Sequence, residues 1–244
     1  MSRAVSPILE ARDLCKSYGS GPSELAVLRG VSLSIGKGEI VGVVGASGVG
    51  KSTLLHILGA LDRPTSGDVL IDAEQVAGRS DRELAAIRSR KVGFVFQFHH
   101  LLSEFSALEN VMLPAMIGGA SKRSAEDSAR RGLEEVGLAE RLHHRPGELS
   151  GGEQQRVAVA RALVNEPAIV LADEPSGNLD RGTGRMLQDL LWKLRDSRGH
   201  TFVIATHDPA IAARADRVLS LAEGIVTEVS PDALPGGGSG PYGR

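Results

Sequence analysis

Ile40-Val41-Gly42-Val43-Val44 runs directly into Gly45-Ala46-Ser47-Gly48-Val49-Gly50-Lys51-Ser52, and Leu54, Leu55 and Leu58 come next at helical spacing. The first five residues form a short apolar run of the kind that a strand buried on both faces requires. A helix is expected to start at Lys51 and continue through Leu58. The stretch between strand and helix fits the phosphate-loop pattern, glycine, four residues, then Gly-Lys-Ser. Gly45, Gly48 and Gly50 allow backbone N–H groups to turn inward around phosphates. The helix N-terminus adds positive potential. Lys51 can reach the β- and γ-phosphates, the Ser52 hydroxyl can bind Mg²⁺, and Thr53 can add a phosphate contact. Gly45, Ala46, Ser47, Gly48, Val49, Gly50, Lys51, Ser52 and Thr53 are therefore the candidate ATP-binding loop. A glycine-rich turn that only caps a helix is the bland reading, and the strand before and helix after argue against it.

Two further strands end in chemistry. Ile169-Val170-Leu171-Ala172 closes on Asp173-Glu174, and Phe202-Val203-Ile204-Ala205 closes on Thr206-His207-Asp208. In open α/β sheets ligands sit at the carboxyl ends of strands. Asp173 is then placed to hold Mg²⁺, in part through water. Glu174 could orient or deprotonate an attacking water, and His207 could contact the γ-phosphate or that water. Alone, the two acids could equally be a solvated turn, and a lone histidine is more often a surface residue.

The rest of the chain supplies the frame. Val27 to Val44 reads as strands, with Gly36 and Gly38 turning the chain, and Asp68–Asp72 and Val92–Phe96 are further strand candidates. From Ser106 to about Leu149 the chain turns helical and polar, with Leu133 and Val136 on one side of an amphipathic stretch from Ser124. Helices are expected over Ser150–Val164 and Arg181–Arg195, and strands over Ala168–Ala172 and Thr201–Ala205. In the second helix Leu187, Leu190, Leu191 and Leu194 fall on one stripe. Strands alternating with helices predict an α/β fold with a mostly parallel sheet. Residues 1–230 are expected to form one domain, with a helical subdomain inserted at about 97–149. Residues 231–244 contain PGGGSGPYG and are expected to be a disordered tail.

Composition excludes several classes. A formal net charge of -2 argues against bulk attraction to nucleic acid or to an anionic bilayer. The single cysteine, Cys15, rules out an internal disulfide and suits a reducing compartment. No apolar run approaches the ~20 residues that span a bilayer, and Met1–Glu10 lacks the apolar stretch of a signal sequence. A cytoplasmic protein is expected, and if it serves a membrane another chain must cross it. His99-His100 and His143-His144 lack the accompanying acids or cysteines of a metal site.

The most specific stretch is Leu149-Ser150-Gly151-Gly152-Glu153-Gln154-Gln155-Arg156. Read blandly it is a capping box, Ser150 at the N-cap with Glu153 three residues on. That leaves Gly151 and Gly152 unexplained, since each glycine costs up to ~1 kcal/mol against alanine in a helix. Bare backbone at a helix N-terminus is what close approach to a phosphate needs. LSGGEQQR resembles the signature of the ABC (ATP-binding cassette) ATPases. The phosphate loop lies about a hundred residues before it and Asp173-Glu174 some twenty after it. The resemblance covers about Leu9 to Glu228.

That resemblance implies a P-loop NTPase fold of ABC type, with an N-terminal antiparallel β part and an inserted helical subdomain. It also implies roles for particular residues. Tyr18 matches the aromatic residue that stacks on adenine. Gln97 matches the glutamine that links Mg²⁺ and the catalytic water to a membrane partner. Ser176-Gly177-Asn178-Leu179-Asp180 matches the loop that crosses the dimer interface, through Asn178 and Asp180, and His207 matches the switch histidine. Ser150, Gly151, Gly152 and Glu153 are implied to act in trans, on ATP held by the phosphate loop of a second copy. The chain is then half of a homodimer, with half of each of two sites.

Gln97-Phe98-His99-His100-Leu101-Leu102 and Phe105-Ser106-Ala107-Leu108-Glu109-Asn110-Val111 resemble the lipoprotein-releasing branch of the family. Ala162–Asn165 and Ala172–Asp180 also fit, although the latter is shared with exporter-type and cell-division-type relatives. Ser176 stands where relatives often have threonine. This branch implies a peripheral protein on the cytoplasmic face of the bacterial inner membrane. Its integral membrane permease subunits would dock near Gln97 to Leu102, and they alone would touch the lipoprotein cargo. Two alternatives stay open: the ATPase of a drug or peptide exporter, and a mechanotransmitting complex that moves no substrate.

Overall fold

The run Ile40–Val44 lies inside a six-stranded sheet, with strands hydrogen-bonded to it on both sides. The computed structural model describes residues 7–21 and 24–230. In chain order the elements are β1 (Leu9–Tyr18), β2 (Leu25–Ile35), β3 (Ile40–Val44), α1 (Lys51–Leu58), β4 (Ser66–Ile71), β5 (Glu74–Gln75), α2 (Asp81–Lys91), β6 (Val92–Val95), α3 (Ala107–Ile117), α4 (Lys122–Glu135), α5 (Gly151–Leu163), β7 (Ile169–Asp173), α6 (Arg181–Arg198), β8 (Phe202–Ala205), α7 (Pro209–Arg214), β9 (Arg217–Ala222) and β10 (Ile225–Val229). The large sheet has the order β10-β9-β3-β8-β7-β6. Its pairings are parallel except for β10 on β9. A smaller antiparallel sheet has the order β2-β1-β4-β5.

Successive strand residues face opposite sides, and the large sheet uses this to serve two cores. Val41, Val43, Leu171 and Val203 join α1 and the antiparallel strands in one apolar cluster. Ile40, Val170, Phe202 and Ile204 join α3, α4, α5 and α6 in the other. Both faces of β3 are thus buried, which explains its lack of polar alternation. The helical stretch after Gln97 contributes Val111, Ala125, Ala129 and Leu133 to the second cluster, where all are fully buried.

Several boundaries differ from the sequence expectation for local reasons. Ser150 is the N-cap of α5 rather than its first residue, because its side chain accepts from Glu153 N–H. The second long helix runs on to Arg198 and stops where Gly199 takes a left-handed φ of 69°. The amphipathic stretch starts at Lys122, capped by the Ser121 side chain. The strands β1, β9 and β10 and the helix α2 were not expected individually. The glycine-rich tail expected to be disordered, residues 231–244, and residues 1–6 lie outside the described residues. No helix among the described residues is long and apolar enough to cross a membrane.

Candidate nucleotide site

The phosphate loop leaves β3 at the carboxyl edge of the large sheet and folds back over its own lysine. Lys51 is 8% exposed. Its Nζ donates to the carbonyls of Gly45 (2.9 Å) and Ala46 (3.2 Å) and stands 3.9 Å from Glu174 Oε1. The ammonium therefore sits at the centre of the loop, held by acceptors that phosphate oxygens can replace. Gly50 caps α1 in the left-handed region, φ 111°, and a Cβ there would come within 2.6 Å of Val27 Cγ1. Both facts require glycine at this position.

Three more strand ends converge on the loop. A cavity of about 400 Å³ brings Ser47, Gly48, Gly50, Lys51, Ser52 and Thr53 together with Gln97 after β6, Asp173 and Glu174 at the end of β7, and His207 after β8. Glu174 has a left-handed φ of 46° despite its side chain, a conformation that costs of order 1–3 kcal/mol and gathers at functional sites. Its backbone N–H donates to the Ala205 carbonyl, tying it to β8. Its Oε2 stands 2.9 Å from His207 Nδ1 and accepts from His207 N–H at 3.3 Å. Behind His207, Gln188 Nε2 donates to Asp208 Oδ2 at 2.8 Å, and Asp208 Oδ1 caps α7. Gln97 and Asn178 form a reciprocal pair. Gln97 Nε2 donates to Asn178 Oδ1 at 3.0 Å, and Asn178 Nδ2 donates to the Gln97 carbonyl at 3.2 Å.

The residue types at this cleft fit Mg²⁺ bound with a nucleotide. One hydroxyl (Ser52), one carboxylate (Asp173) and one amide oxygen (Gln97) are oxygen donors, and Mg²⁺ takes few protein ligands alongside substrate phosphates. Among the described residues no group of three or more His, Cys, Asp or Glu forms a metal cage. The backbone carbonyls of His99 and His100 accept from Arg161.

The signature stretch and the capping box coexist. Ser150 N–H and the Ser150 hydroxyl both donate to Glu153 Oε2, at 2.8 and 2.9 Å. The Ser150 bonds, backbone first, and the Arg141 guanidinium hold the Glu153 carboxyl down at about 2. Gly151 and Gly152 have different surroundings. A Cβ on Gly151 would meet only Leu179 at an ordinary 3.6 Å, whereas one on Gly152 would overlap Thr183 Cγ2 of α6. Packing within the chain thus explains Gly152 at least in part, a reason the sequence did not reveal. None of Ser150, Gly151, Gly152 and Glu153 lines the cleft around Lys51.

Asp180 is the N-cap of α6, accepting from Gly182 and Thr183 N–H at 2.9 and 3.1 Å. Tyr18 is 44% exposed and lies away from the cleft lining. Its hydroxyl donates to Asp62 Oδ2 at 2.9 Å and Lys16 Nζ stands 4.7 Å from the ring centre, so one ring face is already used. Sequence reasoning missed Asp62, which Lys16 and Tyr18 share. It also missed Asn110, fully buried in α3. Asn110 accepts from Leu102 N–H and donates to the carbonyls of Leu102, Phe105 and Ser106. A polar residue on an apolar helical face was the available signal.

Residues 28–177 match the family model described as ABC transporter. The chain is 54% identical over 222 residues to the lipoprotein-releasing system ATP-binding protein LolD of Geobacter metallireducens, covering 91% of this chain and 99% of that one. The protein of the same name from Bordetella pertussis is 56% identical, covering 89% and 94%. That from Porphyromonas gingivalis is 52% identical, covering 90% and 98%. Among solved structures, a dimeric post-hydrolysis state of the ATP-binding cassette MJ0796 bound to ADP and Pi superposes with a TM-score of 0.83 at 40% identity, covering 93% of this chain and all of that one. With this match over more than half its length, the chain belongs to the ABC transporter family and is an ATP-binding subunit that hydrolyses ATP.

Proposed function

We propose that this ATPase powers a complex that releases lipoproteins from the bacterial inner membrane toward the outer membrane. It works there as a homodimer at the cytoplasmic face, bound to integral membrane subunits. The observation that carries the reading is the likeness, at 52–56% identity over about nine-tenths of the chain, to relatives of that name from three bacteria. A surface feature supports it. Phe98 is 65% exposed and Leu102 48%, in the segment just after Gln97, and exposed apolar side chains grouped in this way suit a protein contact. Extracting an acyl-anchored protein is demanding, at ~0.8 kcal/mol per buried CH₂, so coupling release to ATP makes physical sense.

In this mechanism the loop amides, Lys51 and Thr53 bind the phosphates, and Tyr18 stacks on adenine. Ser52, Asp173 and Gln97 would hold Mg²⁺, which neutralises charge on the β- and γ-phosphates. Glu174 orients the attacking water and takes its proton, with His207 fixing the carboxylate. Ser150, Gly151 and Gly152, with Glu153 setting the cap, close on the partner's ATP, and Asn178 and Asp180 line the dimer interface. Depletion of the chain in its native cell, followed by membrane fractionation, tests the reading. Outer-membrane lipoproteins should accumulate in the inner membrane. Normal lipoprotein sorting with failing drug resistance or septation would replace it by an exporter or a cell-division role.

A further inference from the structure

The helix that begins with the signature also fastens the segment after Gln97, and it does so through backbone carbonyls. From α5, Gln155 Nε2 donates to the Phe96 carbonyl at 3.1 Å. Six residues further along, Arg161 Nη2 donates to the His99 carbonyl and Nη1 to the His100 carbonyl, each at 2.7 Å. Gln155 is fully buried, and Arg161 forms no ion pair among the described residues. A half-buried guanidinium without a carboxylate partner is a costly way to stabilise a loop, since no counter-charge offsets its desolvation. Two charge-assisted bonds to adjacent carbonyls give it instead a fixed grip on backbone direction. His100 is held there in the left-handed region, φ 47°, and its ring packs edge-on against Phe96 at 5.3 Å.

The segment and the signature helix are thus joined at three backbone carbonyls, those of Phe96, His99 and His100. Phe98 and Leu102, the exposed apolar side chains, stand within the joined segment. Two buried polar atoms at the junction, His99 Nε2 and Gln155 Oε1, have no hydrogen-bond partner among the described residues.

We propose that Arg161, assisted by Gln155, is a positioning residue that makes the segment Phe96–His100 and the signature helix move as one body. Contact of a membrane subunit at Phe98 and Leu102 then sets where Ser150–Gly152 stand against the opposite ATP. The inference rests on the docking site proposed above. Arg161 touches no nucleotide and acts only through α5.

The test compares ATPase rates of the isolated chain and of the complex purified with its own membrane chains, for wild type, Arg161→Met and Arg161→Lys. In wild type the membrane chains should change the rate. In Arg161→Met the isolated chain should keep its rate and melting temperature, while the partner's effect at saturation falls on the order of 5-fold or more. Arg161→Lys, which retains a cationic donor, should recover part of it. If Arg161→Met responds to the partner as wild type does, the inference is overturned. It is equally overturned if isolated-chain activity and stability fall in step with the partner effect in both variants, because Arg161 is then a fold-stabilising residue. Wild type that responds to its membrane chains yet releases no lipoprotein would sink the cargo assignment and leave this inference standing.

Discussion

The carboxylate of Glu174 meets His207 twice through one oxygen, Oε2, which takes the ring Nδ1 at 2.9 Å and the backbone N–H at 3.3 Å. The other oxygen, Oε1, stands 3.9 Å from Lys51 Nζ, so the carboxylate lies between the histidine and the loop lysine. Glu174→Gln should keep ATP binding and slow hydrolysis by about 10²–10⁴-fold, the usual cost of losing a general base. With ATP and Mg²⁺ it should accumulate as a closed dimer in size-exclusion chromatography. Normal turnover, or a mutant that stays monomeric, would refute the role given to this carboxylate.

Lys51 supplies the second prediction. Its Nζ is bonded to two loop carbonyls, and removal leaves the cradle without its cation. Hydrogen bonds to charged groups are worth about 1.5–3 kcal/mol, so Lys51→Ala should weaken ATP binding by about 10- to 150-fold. A fluorescent-nucleotide titration reads this directly, and an unchanged affinity would remove Lys51 from the site.

How much of this was legible depended on whether a signal was periodic and local. β3 and β7 read correctly because both faces are buried and the apolar run is unbroken. β1 did not, because its buried positions, Leu9, Ala11 and Leu14, lose their alternation at a register shift beside Asp13, whose φ is 49°. α2 buries only Leu84 and Ile87 in eleven residues, too few for a helical stripe, and what marks it is the Ser80–Glu83 capping box. The site residues were named from motifs, and four strand ends bring the cleft residues together. The framework of Asn110, Gln155 and Arg161 was invisible because its partners are backbone carbonyls far away in sequence, or reached around a loop. No side-chain pattern records such partners.

Gly152 allows a separation of packing from nucleotide contact. Gly152→Ala places a methyl against Thr183 Cγ2, and overpacking of that kind costs typically about 1–3 kcal/mol. Thr183→Ser removes the clashing methyl while keeping the hydroxyl near Asp180. The double variant should regain the stability of Thr183→Ser alone in urea denaturation. Its ATPase should stay low if a bare backbone at 152 is needed against the opposite phosphate. Recovery of both together would confine Gly152 to packing.

Acid sensitivity should report the Ser150 cap. Glu153 is held at about 2 in the fold against an ordinary 4.5. A depressed carboxyl stabilises fully above its unfolded value and loses that contribution as pH falls toward the folded one. Wild type should therefore lose stability between about 4.5 and about 2, and Glu153→Gln should lose less across the same window. The slope will not vanish, because Glu83 and Glu109 sit in similar boxes and are also depressed. Denaturation midpoints above and below the window decide it, and identical slopes for the two proteins would deny Glu153 its part in the cap.

The trans arrangement is open to a complementation test. Within one chain Ser150 does not line the cleft around Lys51, which fits the proposed role of Ser150 on the ATP of a second copy. Ser150→Arg should block a site through the bulk and charge of the new side chain, and Lys51→Ala should disable a site through the missing phosphate contact. Each homodimer then has two damaged sites and should be nearly inactive. A mixed dimer is different. One of its sites pairs Lys51→Ala with Ser150→Arg and is doubly damaged, while the other pairs a native Lys51 with a native Ser150. Mixing the two inactive proteins should therefore restore one competent site per mixed dimer, measurable as ATP bound at substoichiometric occupancy. If instead each chain completes its own site, every site in the mixture still has one lesion and no binding returns. Absence of ATP binding by a mixed dimer whose formation is verified would rule out the shared-site arrangement.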